Sequence, residues 1–169
     1  MSNFKHPSAK IKIASLDQGS VQIEAQYNPK DLQVDLQVPW QKHNQANKSN
    51  EQGIHLEFTG AEGREMTVEL FFDGYEQKKS IAPQIATIHQ LASVIKAGSK
   101  KGDDRRPHRC VVNWGTTAKN FRCVIESVST KYTMFLEDGT PVRATCTVKL
   151  KEADVVSMAK SGGGGGSGG

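Results

Sequence analysis

The sequence predicts a mainly β domain, an antiparallel β-barrel or sandwich with one flanking α-helix. Three observations lead there. Apolar and polar residues alternate in short segments along most of the chain, as in strands with one dry and one wet face. Turn-forming clusters, "DQGS", "NPKD", "TGAEG", "FDG", "NWGT" and "EDGT", separate those segments. One stretch alone changes from a period of two to a helical period.

The alternating segments are Ile11–Ile13, Val21–Ile23–Ala25, Leu32–Val34–Leu36–Val38, Ile54–Leu56–Phe58 and Met66–Val68–Leu70–Phe72. With Cys110–Trp114 and the two arms of a late hairpin they make about eight strands. Clean alternation belongs to antiparallel sheets with one wet face rather than to parallel sheets buried on both sides. In "SIAPQIATIHQLASVIKAGSKK", Ile81, Ile85, Ile88, Ala92 and Ile95 form a helical stripe, which predicts a helix over about 81–97. Ser80 is placed to cap its start, Pro83 falls in the tolerant first turn, and Gly98 suits the left-handed position after its end. Such a helix covers a barrel opening or an exposed edge, and His89 within it reads as structural.

The late hairpin, "ESVSTKYTMFLEDGTPVRATCTVKL", poses a register problem. Its second arm alternates strictly through Val142, Ala144, Cys146, Val148 and Leu150. The first arm is apolar at Val128, Tyr132, Met134 and Leu136, yet just upstream at Phe121, Cys123 and Ile125, on odd numbers. A two-residue turn at Asp138-Gly139 leaves both faces mixed. A three-residue loop, Glu137-Asp138-Gly139, sets Val142 against Met134, Ala144 against Tyr132, Cys146 against Thr130 and Val148 against Val128. One face is then dry, and the other carries Ser129, Lys131, Thr133, Arg143, Thr145, Thr147 and Lys149, with Phe135 as the exception. The change of parity at Glu126–Ser127 reads as a β-bulge.

At 169 residues the chain suits one domain. Residues 1–9 read as an N-terminal arm, 10–154 as the β domain, and 155–169 as a tail ending in the flexible linker "SGGGGGSGG". "EADVVSMAK" before it could form a helical turn or two, and "QKHNQANKSNEQ" reads as a long loop. No apolar run reaches the ~20 residues of a membrane-spanning helix. "MSNFKHPSAK" lacks the apolar core of a signal peptide, so synthesis and folding are expected in the cytoplasm. The net charge is +4, but the densest basic cluster, "KAGSKKGDDRRPHR", is broken by Asp103 and Asp104 and reads as a solvated loop. Neither a nucleic-acid nor a membrane partner is expected. Cys110, Cys123 and Cys146 sit within strand-like runs and read as reduced core residues.

No catalytic pattern emerges: the sequence holds no GxSxG, P-loop, strand-to-helix GxGxxG or HExxH. The five histidines, His6, His43, His55, His89 and His108, have no metal-ligand spacing. His55 and Glu57 share a strand face, and Asp103–Asp104 lies in a loop with no apolar pocket around it. No enzyme activity, cofactor or metal is expected.

Three blocks carry a resemblance. "EAQYNPKDLQVDLQVPW", "MTVELFFDGYE" and "CVVNWGTTAKNFRCVIESVSTKYTMFLEDGTPVRATCTVKLKEAD" resemble, in order and spacing, the signature segments of contractile injection system tube-domain proteins, over roughly Lys10 to Asp154. The resemblance implies a tail-tube type fold and a structural role, with six copies in a ring. Such a ring acts as a tube initiator or baseplate adaptor between the inner tube and the spike hub of a phage-tail-like particle, a virion-like component, in contact with other baseplate parts. Whether that particle is released outside the cell stays open. The resemblance gives Asn28, Pro29, Trp114, Gly115 and Gly139 structural turn roles and carries over no active site. It also offers the Ser129, Lys131, Thr133, Arg143, Thr145, Thr147 and Lys149 face as a lumen lining or subunit interface, the other reading being an ordinary wet outer face. Relatives often continue into a LysM module. Here glycine and serine follow, which fits a shortened chain or a member without that clamp. Two other functions stay in view: a ligand-binding β-barrel tethered by the Gly/Ser linker, and a hydrolase acting on cell-wall polymer.

Overall fold

The computed structural model describes residues 9–42, 56–60, 62–154 and 156. Nine strands lie among them: β1 (Lys12–Ser15), β2 (Gln22–Glu24), β3 (Gln33–Asp35), β4 (Trp40–Lys42), β5 (Leu56–Phe58), β6 (Glu65–Asp73), β7 (Cys110–Trp114), β8 (Ala118–Phe135) and β9 (Pro141–Glu152). The one α-helix is α1 (Ala82–Ala92), and a short 3-10 turn covers Gly102–Arg105. Seven strands form one antiparallel sheet in the order β2-β1-β7-β8-β9-β6-β3, and β4 and β5 form a separate pair.

The fold is mainly β and antiparallel with one flanking helix, as the alternation predicts. It is sandwich-like rather than a closed barrel, because β2 and β3 end the sheet and do not pair with each other. The long strands β8 and β9 serve both layers. The first layer contributes Ile11, Ile13, Val21, Ile23, Cys110, Val112, Phe121 and Cys123 to the interior. The second contributes Met66, Val68, Leu70, Phe72, Ala144, Cys146, Val148 and Leu150 to that same core. Each fully buried aliphatic side chain stabilises by about 1.5–3 kcal/mol relative to exposure.

The bend between the layers comes from the expected bulge. Ile125 faces Leu150 and Ser127 faces Lys149, so Glu126 is an extra residue on β8. The extra residue returns Phe121, Cys123 and Ile125 to the side where Val148 and Leu150 are buried. The three-residue loop also forms. Leu136 N–H donates to Thr140 O at 2.9 Å, and Gly139 takes a φ of 85°, a left-handed conformation that glycine adopts without a Cβ clash.

Pairings Tyr132–Ala144, Thr130–Cys146 and Val128–Val148 stand as expected, but Met134 lies opposite Arg143, not Val142. The displacement has a cause in the neighbouring loop. The carbonyls of Pro141 and Val142 accept from Ile81 N–H and Gly74 N–H, at 3.1 and 2.8 Å, and proline has no N–H to give the ladder. Val142 and Thr133 are then skipped in turn.

The helix is shorter than its stripe. Ile85, Ile88 and Leu91 are buried against the sheet, but the helix stops at Ala92 and Ser93 is extended. Ser80 Oγ accepts from Ala82 N–H at 3.1 Å at the start. Beyond the end, Val94 bridges Pro107, Ile95 N–H donates to Arg106 O at 3.0 Å and Lys96 N–H to Asp104 O at 2.7 Å. Strand-like pairing with the 104–107 segment therefore replaces the last predicted turns, and Gly98, with φ of 76°, serves the intervening turn rather than a helix cap.

Leu36 and Val38 extend past β3 outside any strand, and the expected alternation from 54 is described only from Leu56 on. The N-terminal arm to residue 8, most of the "QKHNQANKSNEQ" loop, His6, His43, His55 and the glycine-serine tail lie outside the described residues. "EADVVSMAK" falls mostly outside them too, and Ala153 and Asp154 are not helical.

Candidate subunit-assembly surface

The upper part of β8, with β9, β6 and β3, forms a four-stranded wall. β7 pairs with β8 only as far as Cys123, so from Val124 to Phe135 the side of β8 away from β9 meets no strand among the described residues. Among the described residues β3 is the other open edge. Unpaired strand edges are ready to accept a strand from another chain.

All seven predicted face residues lie on this wall. Ser129 pairs with Thr147 and Lys131 with Thr145, while Thr133 is the skipped residue and Arg143 faces Met134. Ser129, Lys131, Thr133 and Lys149 are exposed, and Arg143, Thr145 and Thr147 are half-buried. β6 extends the face with Thr67 opposite Lys149, Glu69 opposite Thr147, Phe71 opposite Thr145 and Asp73 opposite Arg143. Arg143 Nη2 lies 3.0 Å from Asp73 Oδ2. Asp73 also accepts from Tyr75 N–H, which with Arg143 holds its carboxyl below the usual range. Gln26 donates to Asp73 O and accepts from Asp73 N–H, tying the chain before β3 to the end of β6.

Two of the predicted turn motifs, Asn28-Pro29 and Trp114-Gly115, meet in space, while Gly139 closes the β8–β9 hairpin. Asn28 Nδ2 and Trp114 Nε1 both donate to Ala9 O, at 2.9 and 3.2 Å, and Asn28 Oδ1 accepts from Ile11 N–H. Pro29 follows in the same loop, and Gly115 takes a φ of 56° at the β7–β8 turn. Two motifs far apart in sequence thus fasten one strand entrance.

Two features were not legible beforehand. The first is a clasp in the basic segment. Arg106 holds Asp17 with Nη1 on Oδ2 at 2.9 Å and Nη2 on Oδ1 at 2.8 Å. Arg109 adds its backbone N–H and guanidinium to the same carboxylate. The Arg106 hydrogen bonds hold the Asp17 carboxyl far below the usual range, against the effect of burial. Beside them His108 is buried, with Nδ1 2.7 Å from Ser15 Oγ, and desolvation lowers its pKa. The "solvated loop" reading is therefore corrected: Arg106 and His108 are interior, because Asp17 neutralises one and Ser15 satisfies the other. His89, by contrast, is on the exposed side of α1.

The second is an apolar arm. β4 and β5 project between Asp35 and Glu65, where β3 and β6 last pair. Trp40 and Phe58 lie opposite each other, with ring centroids 5.5 Å apart, and both are about half exposed. Val34, Leu36, Val38 and Leu56 are also exposed. All six are even-numbered, a signal of one dry face, but nothing in the pattern says that the covering partner is missing from the monomer.

The three cysteines are free and buried. Burial pushes the Cys110 thiol up to about 12 and raises those of Cys123 and Cys146. Among the described residues no group of acidic, histidine or cysteine side chains could hold a metal ion, and no helix is long and apolar enough to cross a membrane.

What this arrangement offers is open β edges, an apolar arm and a hydrophilic wall, all suited to assembly. The family described as contractile injection system tube protein matches residues 7–159. The chain belongs to that family. It is a structural, β-rich component of a contractile injection system, assembled with other tube or baseplate parts in a phage-tail-like particle. No curated protein matches the sequence.

Proposed function

We propose that this tube-family chain is a ring subunit, six copies closing around a channel and joining the inner tube to the spike hub and baseplate. One observation carries the reading: among the described residues the four-stranded wall is open at both edges, along β3 and along β8 from Val124 to Phe135. The two edges differ, so joining them is a head-to-tail contact, which yields rings when the rotation closes. β3 and β8 run in opposite senses within the wall, since each step β3-β6-β9-β8 is antiparallel. A second copy placing its β3 beside that β8 continues the antiparallel sheet.

In such a ring the face of Ser129, Lys131, Thr133, Arg143, Thr145, Thr147 and Lys149 lines the channel. The apolar arm gives each copy a second surface for a neighbour. The role is structural rather than catalytic.

Mass measurement of the purified full chain under native conditions, with electron microscopy of the same sample, tests this. The expected outcome is a sixfold ring. A chain that stays monomeric at every concentration and is missing from purified particles would end the proposal. Reversing Lys131 and Lys149 to glutamate is expected to invert the channel's potential in a reconstruction, and an unchanged channel would place that face outside.

A further inference from the structure

Ser15 and His108 are buried side by side, where β1 ends and just before β7 begins. Ser15 Oγ has three polar neighbours. It accepts from Asp17 N–H at 3.1 Å and from Gln18 N–H at 2.9 Å, and it lies 2.7 Å from His108 Nδ1. A serine hydroxyl has two acceptor lone pairs and one proton to donate. The turn takes both lone pairs, so the Ser15 O–H donates to His108 Nδ1. Nδ1 therefore carries no proton, and the ring is the neutral tautomer protonated at Nε2, because the hydrogen bond at one imidazole nitrogen fixes the proton on the other.

This hydroxyl organises its surroundings. It closes the β1–β2 turn, and Asp17 in that turn clamps Arg106 and Arg109. The clamped segment accepts Lys96 N–H at Asp104 O and Ile95 N–H at Arg106 O, and His108 N–H donates to Ser93 O at the end of α1. The charged and titratable groups around the ring are Asp17 from the turn, Arg106 and Arg109 from its own segment, and Cys110 at the start of β7, whose thiol stays neutral. Desolvation disfavours the charged ring most; Asp17 opposes that effect and Arg106 adds to it.

A proton on Nδ1 breaks this arrangement. The imidazolium points an N–H at an oxygen whose lone pairs are both in use. Ser15 must then release Asp17 N–H or Gln18 N–H, or lose the ring. A charged ring in a dry site is also driven toward water. We propose that Ser15 and His108 form an acid-sensitive latch, in which uptake of one solvent proton by His108 opens the β1–β2 turn and frees the 104–109 segment while the core stays folded. The β6, β9 and β8 wall pairs without either residue, and parts of a fold open at less cost than the whole. The latch belongs to the single chain and stands apart from the ring reading.

Nitrogen-15 spectra of the imidazole and hydrogen exchange, both on the full chain, test the latch. At about pH 7 the His108 ring should show a bare Nδ1 and a protonated Nε2; a ring protonated at Nδ1 would overturn the hydrogen-bond direction and the latch with it. Protection of amides 16–21, corrected for the intrinsic pH dependence of exchange, should lie below that of amides 144–150. It should fall about twentyfold between about pH 7 and about pH 5, as a histidine released to titrate near pH 6.5 requires. Unchanged protection at the turn would show that the proton does not open it. Equal protection in the two stretches would show that only unfolding of the whole domain exposes His108, and would also end the proposal. In His108→Gln the fall should vanish, and a fall that persists would assign it to another group. The other outcomes are read on the native chain, so a variant that fails to fold leaves them decisive.

Discussion

At Asp17 one carboxylate binds the Arg106 guanidinium through both oxygens and accepts from Arg109 as well. Its side chain and that of Arg106 are 9 % and 10 % exposed, so removing one partner strands a buried charge. Asp17→Ala is expected to cost about 3 kcal/mol or more in urea unfolding; a loss under about 0.5 kcal/mol would mean water replaces the carboxylate. His108 gives the pH dependence. Its folded pKa is depressed, so the unfolded chain takes up a proton near pH 6.5 that the folded one refuses. That share of stability is complete above about pH 6.5 and declines as pH falls below it. Asp17, depressed as a carboxylate, contributes stability above about pH 4 that is lost on further acidification. Unfolding free energies measured between about pH 7 and about pH 5 should therefore fall in the native protein and stay flatter in His108→Gln. Equal slopes would assign the loss elsewhere.

Among the elements, β8 depends on one residue being unpaired. Deleting Glu126 removes the bulge and turns either Phe121, Cys123 and Ile125 or the second half of the strand to the wrong face. Exposing three buried apolar side chains at about 1.5–3 kcal/mol each is comparable to the whole stability of a domain. The deletion variant should be insoluble or lack a cooperative melt, whereas Glu126→Ala should melt close to the native protein. The same strand shows how far period-two reasoning reaches. The bulge, the three-residue loop and the pairing from Val128 to Tyr132 are readable because burial of one face permits a single register. The slip at Met134 is not, because it depends on Gly74 and Ile81, distant in sequence, claiming the Pro141 and Val142 carbonyls. Helix α1 teaches the same lesson at its end, where the partners of Val94 and Ile95 lie near Arg106.

For the whole molecule, the surfaces left uncovered matter most. The Trp40–Phe58 arm makes no pairing with the seven-stranded sheet. Trp40→Ser with Phe58→Ser should therefore leave monomer stability within about 0.5 kcal/mol, as exposed substitutions do, while lowering the assembled fraction in sedimentation. A large drop in melting temperature would instead show that the arm folds back.

Alternation, turn residues and one helical stripe determined by themselves that this chain makes a one-helix, antiparallel β fold with a bulged hairpin, because those features depend on neighbours in sequence. Folding in three dimensions decided the rest. It ended the helix early, buried Arg106 and His108 beside Asp17, and left the sheet open instead of closed. Each of these depends on which distant groups compete for the same carbonyl, charge or apolar surface, and no local period encodes that competition.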